Sequence, residues 1–530
     1  MTSRHYDIIV RSGTIYDGGG EAPFVGDVAI LGDRIESVSS RIGGSAKLEI
    51  DAGGMAVAPG FINMLSWANV SLLHDGRSQG DIRQGVTLEV LGEGNSMGPL
   101  NDAMKREMLE RQTDIKYDVT WTTLAEYLNT LERRGVSCNV ASFVGATTVR
   151  IHELGHENRR PTPAELSRMV ALVQTAMADG AMGLSSALIY APASYAETDE
   201  LIALARPVGE CDGLYISHIR NEGGQLFAAL EEFFTILRRA RVRGEIYHMK
   251  ITGESNWDKL PEYVRRIEAA RSDGLSVTAN MYNYVAAGTG LGTIVNMPLW
   301  AYEGGHRAMM ERLSDAATRA RIRAEMKIRN SDHVVLVAFK NEALKPLHGR
   351  TLTEVAAMRG QAPEDAAIDL ILEDDSRVGA VHFAMSEDNV RREIALPWVS
   401  FGSDGASMAP EGAFLASGCH PRAYGNFARL LGKYVREEKI ITLQEAVRKL
   451  AALPAENLRI KDRGRLAEGM LGDVVVFDPL TIADKATVEQ PHQYAVGVRD
   501  VLVNGVPVLR DGEHTGATPG RVVHGPGRSG

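Results

Sequence analysis

The chain has 530 residues, 44% hydrophobic and 24% charged, the composition of a globular protein large enough to bury a substantial core. Its formal net charge is −10 with no long basic run to offset it, which argues against a phosphate backbone as the main partner. Cys138, Cys211 and Cys419 make no disulfide framework, no apolar stretch is long enough to span a membrane, and residues 1–7 carry no apolar leader, so a cytoplasmic protein free of nucleic acid and membrane is expected, with homo-oligomerisation left open.

Short apolar segments at 6–10, 14–17, 27–31, 34–38 and 47–50, separated by turns such as Asp17-Gly18-Gly19-Gly20, predict β-strands at the N-terminal end. The pattern then changes. Apolar runs at 55–61, 86–91, 139–144, 182–185, 214–217, 245–248, 275–280 and 398–402 alternate mostly with helical patterns. In 162–180, Leu166, Met169, Val170 and Val173 fall at i, i+3, i+4 and i+7, with Pro163 near the start; 225–243 and 260–272 are similar. This alternation predicts an α/β fold, a (β/α)8 TIM barrel. A doubly wound open sheet is the alternative, weakened by the lack of a dinucleotide glycine fingerprint after the first strand.

The segment before the last strand is too long for a simple crossover. It carries its own predicted helices (316–329, 353–359, 364–374) and strands (334–339, 379–383), so it reads as an insertion of about 285–395 after strand 7 and a candidate lid. Strands follow at 473–477, 501–503 and 506–509, the last two joined by Asn504-Gly505, a strong hairpin signal. The β-rich ends predict a small composite β-sandwich from residues 1–57 and 465–530, around a barrel domain at 58–464. The Gly- and Arg-rich tail, 520–530, is expected to be poorly ordered.

In a barrel, chemistry gathers where strands end and βα loops begin. Strand 2 runs into Glu93, strand 5 into His218, strand 6 into His248 and strand 8 into Asp404. Two histidines and two carboxylates on one rim predict a shared metal site, suited best to zinc, with manganese, nickel or cobalt compatible.

These segments resemble the amidohydrolase superfamily: Ala58-Pro59-Gly60-Phe61-Ile62, Gln84-Gly85-Val86-Thr87, Ile216-Ser217-His218, Tyr247-His248-Met249-Lys250 and Gly402-Ser403-Asp404-Gly405. Gly183-Leu184-Ser185-Ser186-Ala187-Leu188-Ile189-Tyr190, Cys419-His420-Pro421-Arg422 and Asp462-Arg463-Gly464-Arg465-Leu466-Ala467-Glu468-Gly469 are similar to its D-aminoacylase, or N-acyl-D-amino-acid deacylase, branch. The resemblance implies a metal-dependent hydrolase that uses one metal-activated water to cleave a small-molecule substrate, an N-acyl amino acid of D configuration, to a carboxylate and the free amino acid. It makes His218 and His248 metal ligands and places Glu93 where this branch usually has a metal-binding cysteine. It makes Asp404 the general base and acid, Arg422 part of the segment that binds the substrate carboxylate, and Tyr190 and Tyr282 pocket residues. His420, beside Arg422, is a further pocket candidate.

The main departure lies on strand 1. The family's His-x-His is replaced by Leu65 and Trp67, neither able to bind a metal in that role. One zinc per chain is therefore expected, held by Glu93, His218 and His248, with a second, weakly held metal compatible. Leu65 and Trp67 read as fillers of the barrel mouth or as walls shaping an apolar substrate pocket. Lys250 reads as a surface or supporting lysine, and His152 and His156 as loop packing. Two other functions stay open: hydrolysis of another amide, cyclic amide or carbamoyl substrate, and a catalytically silent homologue.

Overall fold

The computed structural model describes residues 4–528. Both ends of the chain enter one nine-stranded sheet. His5–Ile15 pairs antiparallel with Phe24–Leu31 and parallel with Ser45–Asp51. The C-terminal strands join through Val474–Phe477, antiparallel to Ala56–Pro59 with Val475 opposite Ala58. Val498–Val503 and Val506–Arg510 form the expected hairpin, whose Asn504 and Gly505 (φ 49° and 75°) adopt the positive φ of a tight turn. Alternation divides the sheet's two faces: Val474, Val476 and Leu502 pack with Ile8, Val10, Val28 and Ile30, whereas Val475, Phe477, Val501 and Val503 join the main core.

Two of the departures from the predicted strand boundaries have a local cause. His5–Ile15 is one strand, not two, because a bulge at Ser12 (φ 59°) shifts its register between Val10 and Gly13. The single apolar run 55–61 is divided at Gly60 between Ala56–Pro59 of the terminal sheet and Phe61–Ser66 of the interior. A Cβ at Gly60 would collide with the Thr87 side chain.

The interior strands are parallel. Phe61–Ser66, Val86–Leu91 and Asn139–Ser142 form one sheet in sequence order. Val144–Gly145, Gly183–Ala187, Leu214–His218, Arg243–Ile246, Val277–Met281 and Val399–Phe401 form another. Nearly all their residues are buried, because helices cover what the strands would otherwise expose, so they read as apolar runs without alternation. Among the helices, Pro163–Ala178 starts at Thr162 with a reciprocal cap to Glu165 and buries Met169, Val173 and Met177. Losing the Thr162 cap would cost about 1 kcal/mol.

Between Val277–Met281 and Val399–Phe401 stands a unit with its own core, including Leu291, Leu336, Val355 and Ile368. Its sheet is antiparallel, with Gly379–Phe383 between Ala286–Gly290 and Val334–Ala338. Helices Leu352–Arg359 and Pro363–Asp374 lie near their expected positions, whereas Ala316–Glu325 stops before 329 as Met326 turns extended and enters the core.

The tail departs from expectation. Gly520 N donates to Val136 O, Val523 N to Val140 O and Gly525 N to Gly180 O, each at 2.8 Å. A Cβ at Gly520 would collide with the Cys138 carbonyl, so a glycine that suggested looseness permits close packing instead. Ser529 and Gly530 lie outside the described residues. Among the described residues, no helix is long and apolar enough to cross a membrane.

Candidate metal centre

Glu93 is flanked by Gly92 (φ 99°) and Gly94 (φ 62°), where a Cβ would press on the Phe143 carbonyl and on Ala187. His218 is the last residue of Leu214–His218. His248 follows Arg243–Ile246 with φ 33°, uncommon for a residue with a Cβ. Its N–H donates to Asn280 Oδ1 at 2.9 Å, and Asn280 Nδ2 donates to the buried Glu245 Oε1 at 2.8 Å, so a buried pair holds the unusual backbone. Asp404 also has positive φ (47°), and its N–H donates to Leu65 O at 2.8 Å.

These turns bring the rim residues together. Glu93 Oε1 lies 3.1 Å from His218 Nδ1 and 2.9 Å from His248 Nε2. One donor atom from each of the three side chains lies within 4.8 Å of the others, and all three are buried. His218 turns Nδ1 towards Glu93, and its Nε2 is buried without a hydrogen-bond partner. Two imidazoles and one carboxylate fit a borderline divalent cation such as zinc, with coordination positions to spare.

The electrostatics favour an ionised Glu93 facing the two imidazoles. Burial pushes the Glu93 carboxyl up, but His248 and His218 outweigh it and hold the carboxyl well below the usual range. Burial and Lys250 pull His248 down, yet Glu93 and Glu222 bring it up to about 9; His218 is lowered, chiefly by burial. Glu222 was missed in the sequence reading. Its Oε1 accepts from Lys250 Nζ at 2.6 Å and stands 3.2 Å from His248 Nδ1 and 3.5 Å from His218 Nε2. Its available signal was a carboxylate four residues after a strand-end histidine. Lys250 is buried, with Nζ 2.5 Å from His248 Nδ1, so it supports the imidazole instead of facing solvent.

Trp67 is neither a mere filler nor a purely apolar wall. Its indole Nε1–H donates to Glu93 Oε2 and Asp404 Oδ1, each at 3.0 Å. Asp404 Oδ2 pairs with Arg422 Nη2 at 2.8 Å. Burial pushes the Asp404 carboxyl up despite Arg422. Arg422 is 4% exposed, lies over the Tyr282 ring at 4.3 Å, and leaves Nε and Nη1 without partners; Tyr282 OH is also buried and unpaired.

The remaining candidates take distinct places. Tyr190 packs edge-on against His218, with its OH 3.0 Å from Thr289 Oγ1 of the inserted sheet, and burial keeps it protonated. His420 uses both ring nitrogens within the protein: Nε2 lies 3.0 Å from Ala286 O, and Nδ1 accepts from Arg422 N at 3.0 Å. It thus positions Arg422. His156 meets Glu107 at 2.9 Å and His152 meets Glu153 at 3.0 Å, away from the rim cluster.

A mixed α/β scaffold carrying two imidazoles, a carboxylate ligand candidate and an adjacent buried aspartate defines a metallohydrolase-like centre. The chain belongs to the amidohydrolase family, matched over residues 48–509. It is 32% identical over 527 residues to the D-aminoacylase of Alcaligenes xylosoxydans xylosoxydans, covering 98% of each chain. It is similar, with TM-score 0.82 and 30% identity, to the crystal structure of N-acyl-D-glutamate deacylase from Bordetella bronchiseptica complexed with zinc and a phosphonate mimic of the tetrahedral intermediate, covering 98% of this chain and 100% of that one. A D-aminoacylase structure described by one-metal activation and second-metal attenuation of its binuclear centre matches with TM-score 0.82 and 32% identity, over 98% of this chain and 100% of that one.

Proposed function

We propose that the protein hydrolyses an N-acyl amino acid of D configuration to a carboxylate and the free amino acid, using one divalent metal, zinc by preference. The observation that carries the reading is the buried cluster of Glu93, His218 and His248, with one donor atom from each within 4.8 Å of the others, together with the orphaned Arg422 Nε and Nη1 and Tyr282 OH on the Asp404 side. A metal suits the first and a substrate carboxylate satisfies the second. A silent homologue would leave both unused for no return.

Glu93, His218 and His248 would hold the metal, which when bound acidifies a water towards neutrality and polarises the scissile carbonyl. Asp404 takes a proton from the attacking water as the new C–O bond forms. It returns that proton to the nitrogen as the C–N bond breaks. Burial raises the basicity of Asp404, which suits it to accept a proton. Tyr190, kept protonated by burial, donates to the developing oxyanion. Arg422 and Tyr282 take the α-carboxylate, and His420 holds Arg422 in place for it.

The architecture of this reading is a (β/α)8 barrel of residues 58–464, a terminal domain from 1–57 and 465–530, and the insertion of about 285–395. Closure is supported on both sides. Only Phe143 separates Asn139–Ser142 from Val144–Gly145, and Ser66 bridges in parallel to Gly405.

The test is metal per chain by elemental mass spectrometry, together with turnover of N-acyl-D-amino acids. About one zinc per chain, lost in a His218→Ala/His248→Ala variant, is expected. Absence of bound metal after zinc loading, or no hydrolysis by metal-loaded protein, overturns the reading.

A further inference from the structure

Trp67 follows Phe61–Ser66 directly, and its backbone N–H donates to Gly405 O at 2.9 Å while Leu65 O accepts from Asp404 N at 2.8 Å. The residue is thus locked in register with the loop that carries the base. Its side chain takes the two oxygens that the rest of the site leaves over. Glu93 Oε1 meets both histidines, so Trp67 meets Oε2; Asp404 Oδ2 meets Arg422, so Trp67 meets Oδ1. An indole N–H is donor only and cannot ligate a cation. The neighbouring Leu65 is buried among Ile62, Met64 and Phe143, so strand 1 supplies no replacement ligand. Among the described residues, Glu93, His218 and His248 form the only three-donor group that could hold an ion.

We propose that Trp67 is a built-in hydrogen-bond bridge between Glu93 and Asp404 that positions the base and closes the interval between these carboxylates to a second divalent cation. The inference rests on the hydrolase reading and deepens it. Two carboxylate oxygens converging on one point would ordinarily attract a cation. Here a neutral, fixed donor serves both, without supplying the charge that would bind one oxygen too tightly to take up a proton. The centre is therefore mononuclear by construction, and excess metal does not attenuate it. Trp67 is a positioning residue, because it acts through Asp404 and Glu93.

Zinc is titrated into metal-free protein and counted by elemental mass spectrometry after removal of free metal, alongside steady-state kinetics on an N-acyl-D-amino acid. Wild type should retain one equivalent at any excess and keep its rate. Trp67→His, alone or with Leu65→His, should retain a second equivalent and lose rate in excess zinc. Trp67→Phe should still hold one equivalent, with kcat lower by about tenfold to a hundredfold and KM within about threefold, as expected when the donor shared by two carboxylates is lost. Two tightly held equivalents in wild type, or an unchanged kcat in a folded Trp67→Phe variant, overturns the bridge while leaving the hydrolase intact. No metal in wild type overturns the hydrolase reading itself, and the bridge with it. The wild-type titration decides even if a variant fails to fold.

Discussion

Glu89 and Glu93 lie four residues apart, both buried, and the protein treats them oppositely. Glu89, within Val86–Leu91, meets neutral donors: Asn63 Nδ2 at 3.0 Å and Ser78 Oγ at 3.1 Å. The buried Asp81 shares Asn63 Nδ2 at 3.3 Å, and burial pushes both carboxyls up, Asp81 well above its ordinary value. Glu93 faces His218 and His248 and is driven down despite burial. Burial without a facing cation pushes a carboxyl towards its protonated form, whereas facing imidazoles hold it ionised. Burial alone does not mark a functional acid. The charge of its neighbours does.

The largest effect should follow from making Glu93 resemble its neighbour. Glu93→Gln removes the anion between the histidines, and metal occupancy and turnover should fall to the level of metal-free protein, read by elemental analysis and kinetics. Asp404→Asn should keep the metal yet lower kcat by about 10²- to 10⁴-fold, the usual contribution of a positioned base. An active Asp404→Asn enzyme would remove Asp404 from the mechanism. Asn280→Ala frees the His248 backbone, and apparent zinc affinity should weaken by about tenfold to a hundredfold, as for other residues that orient a ligand. A metal-competition titration measures it.

Glu89→Gln should change the least in turnover, because Glu89 meets Asn63 and Ser78 and not the rim histidines, and Gln is a near-isostere. Its signature is in stability against pH. Glu89 unfolds to an ordinary carboxyl near 4.5, whereas the folded group has a raised pKa. Between those values the native state binds more protons, so stability present below 4.5 is lost as pH rises through the folded pKa. Glu89→Gln should flatten the fall in Tm over that window. An unchanged slope would mean that Glu89 is ionised, and the contrast with Glu93 would collapse.

Much of this was legible without a structure. The alternation of apolar runs and helical patterns exposed the α/β body, and the Asn504-Gly505 turn exposed its hairpin. Glu93, His218, His248 and Asp404 stood out because strand ends concentrate chemistry. Other features were hidden for specific reasons. The division at Gly60 depends on contact with Thr87, and the ordering of the tail depends on contact with Cys138. Glu222 is set beside both histidines only by the fold.

The sequence by itself determined the element types and the inventory of ligands, because periodicity, turn chemistry and donor type are local properties. It also determined that strand 1 has lost its imidazoles. Only the tertiary structure decided what Trp67 does in their place. A hydrogen bond shared between Glu93 and Asp404 depends on three residues brought together from positions 67, 93 and 404, and no local pattern encodes that distance.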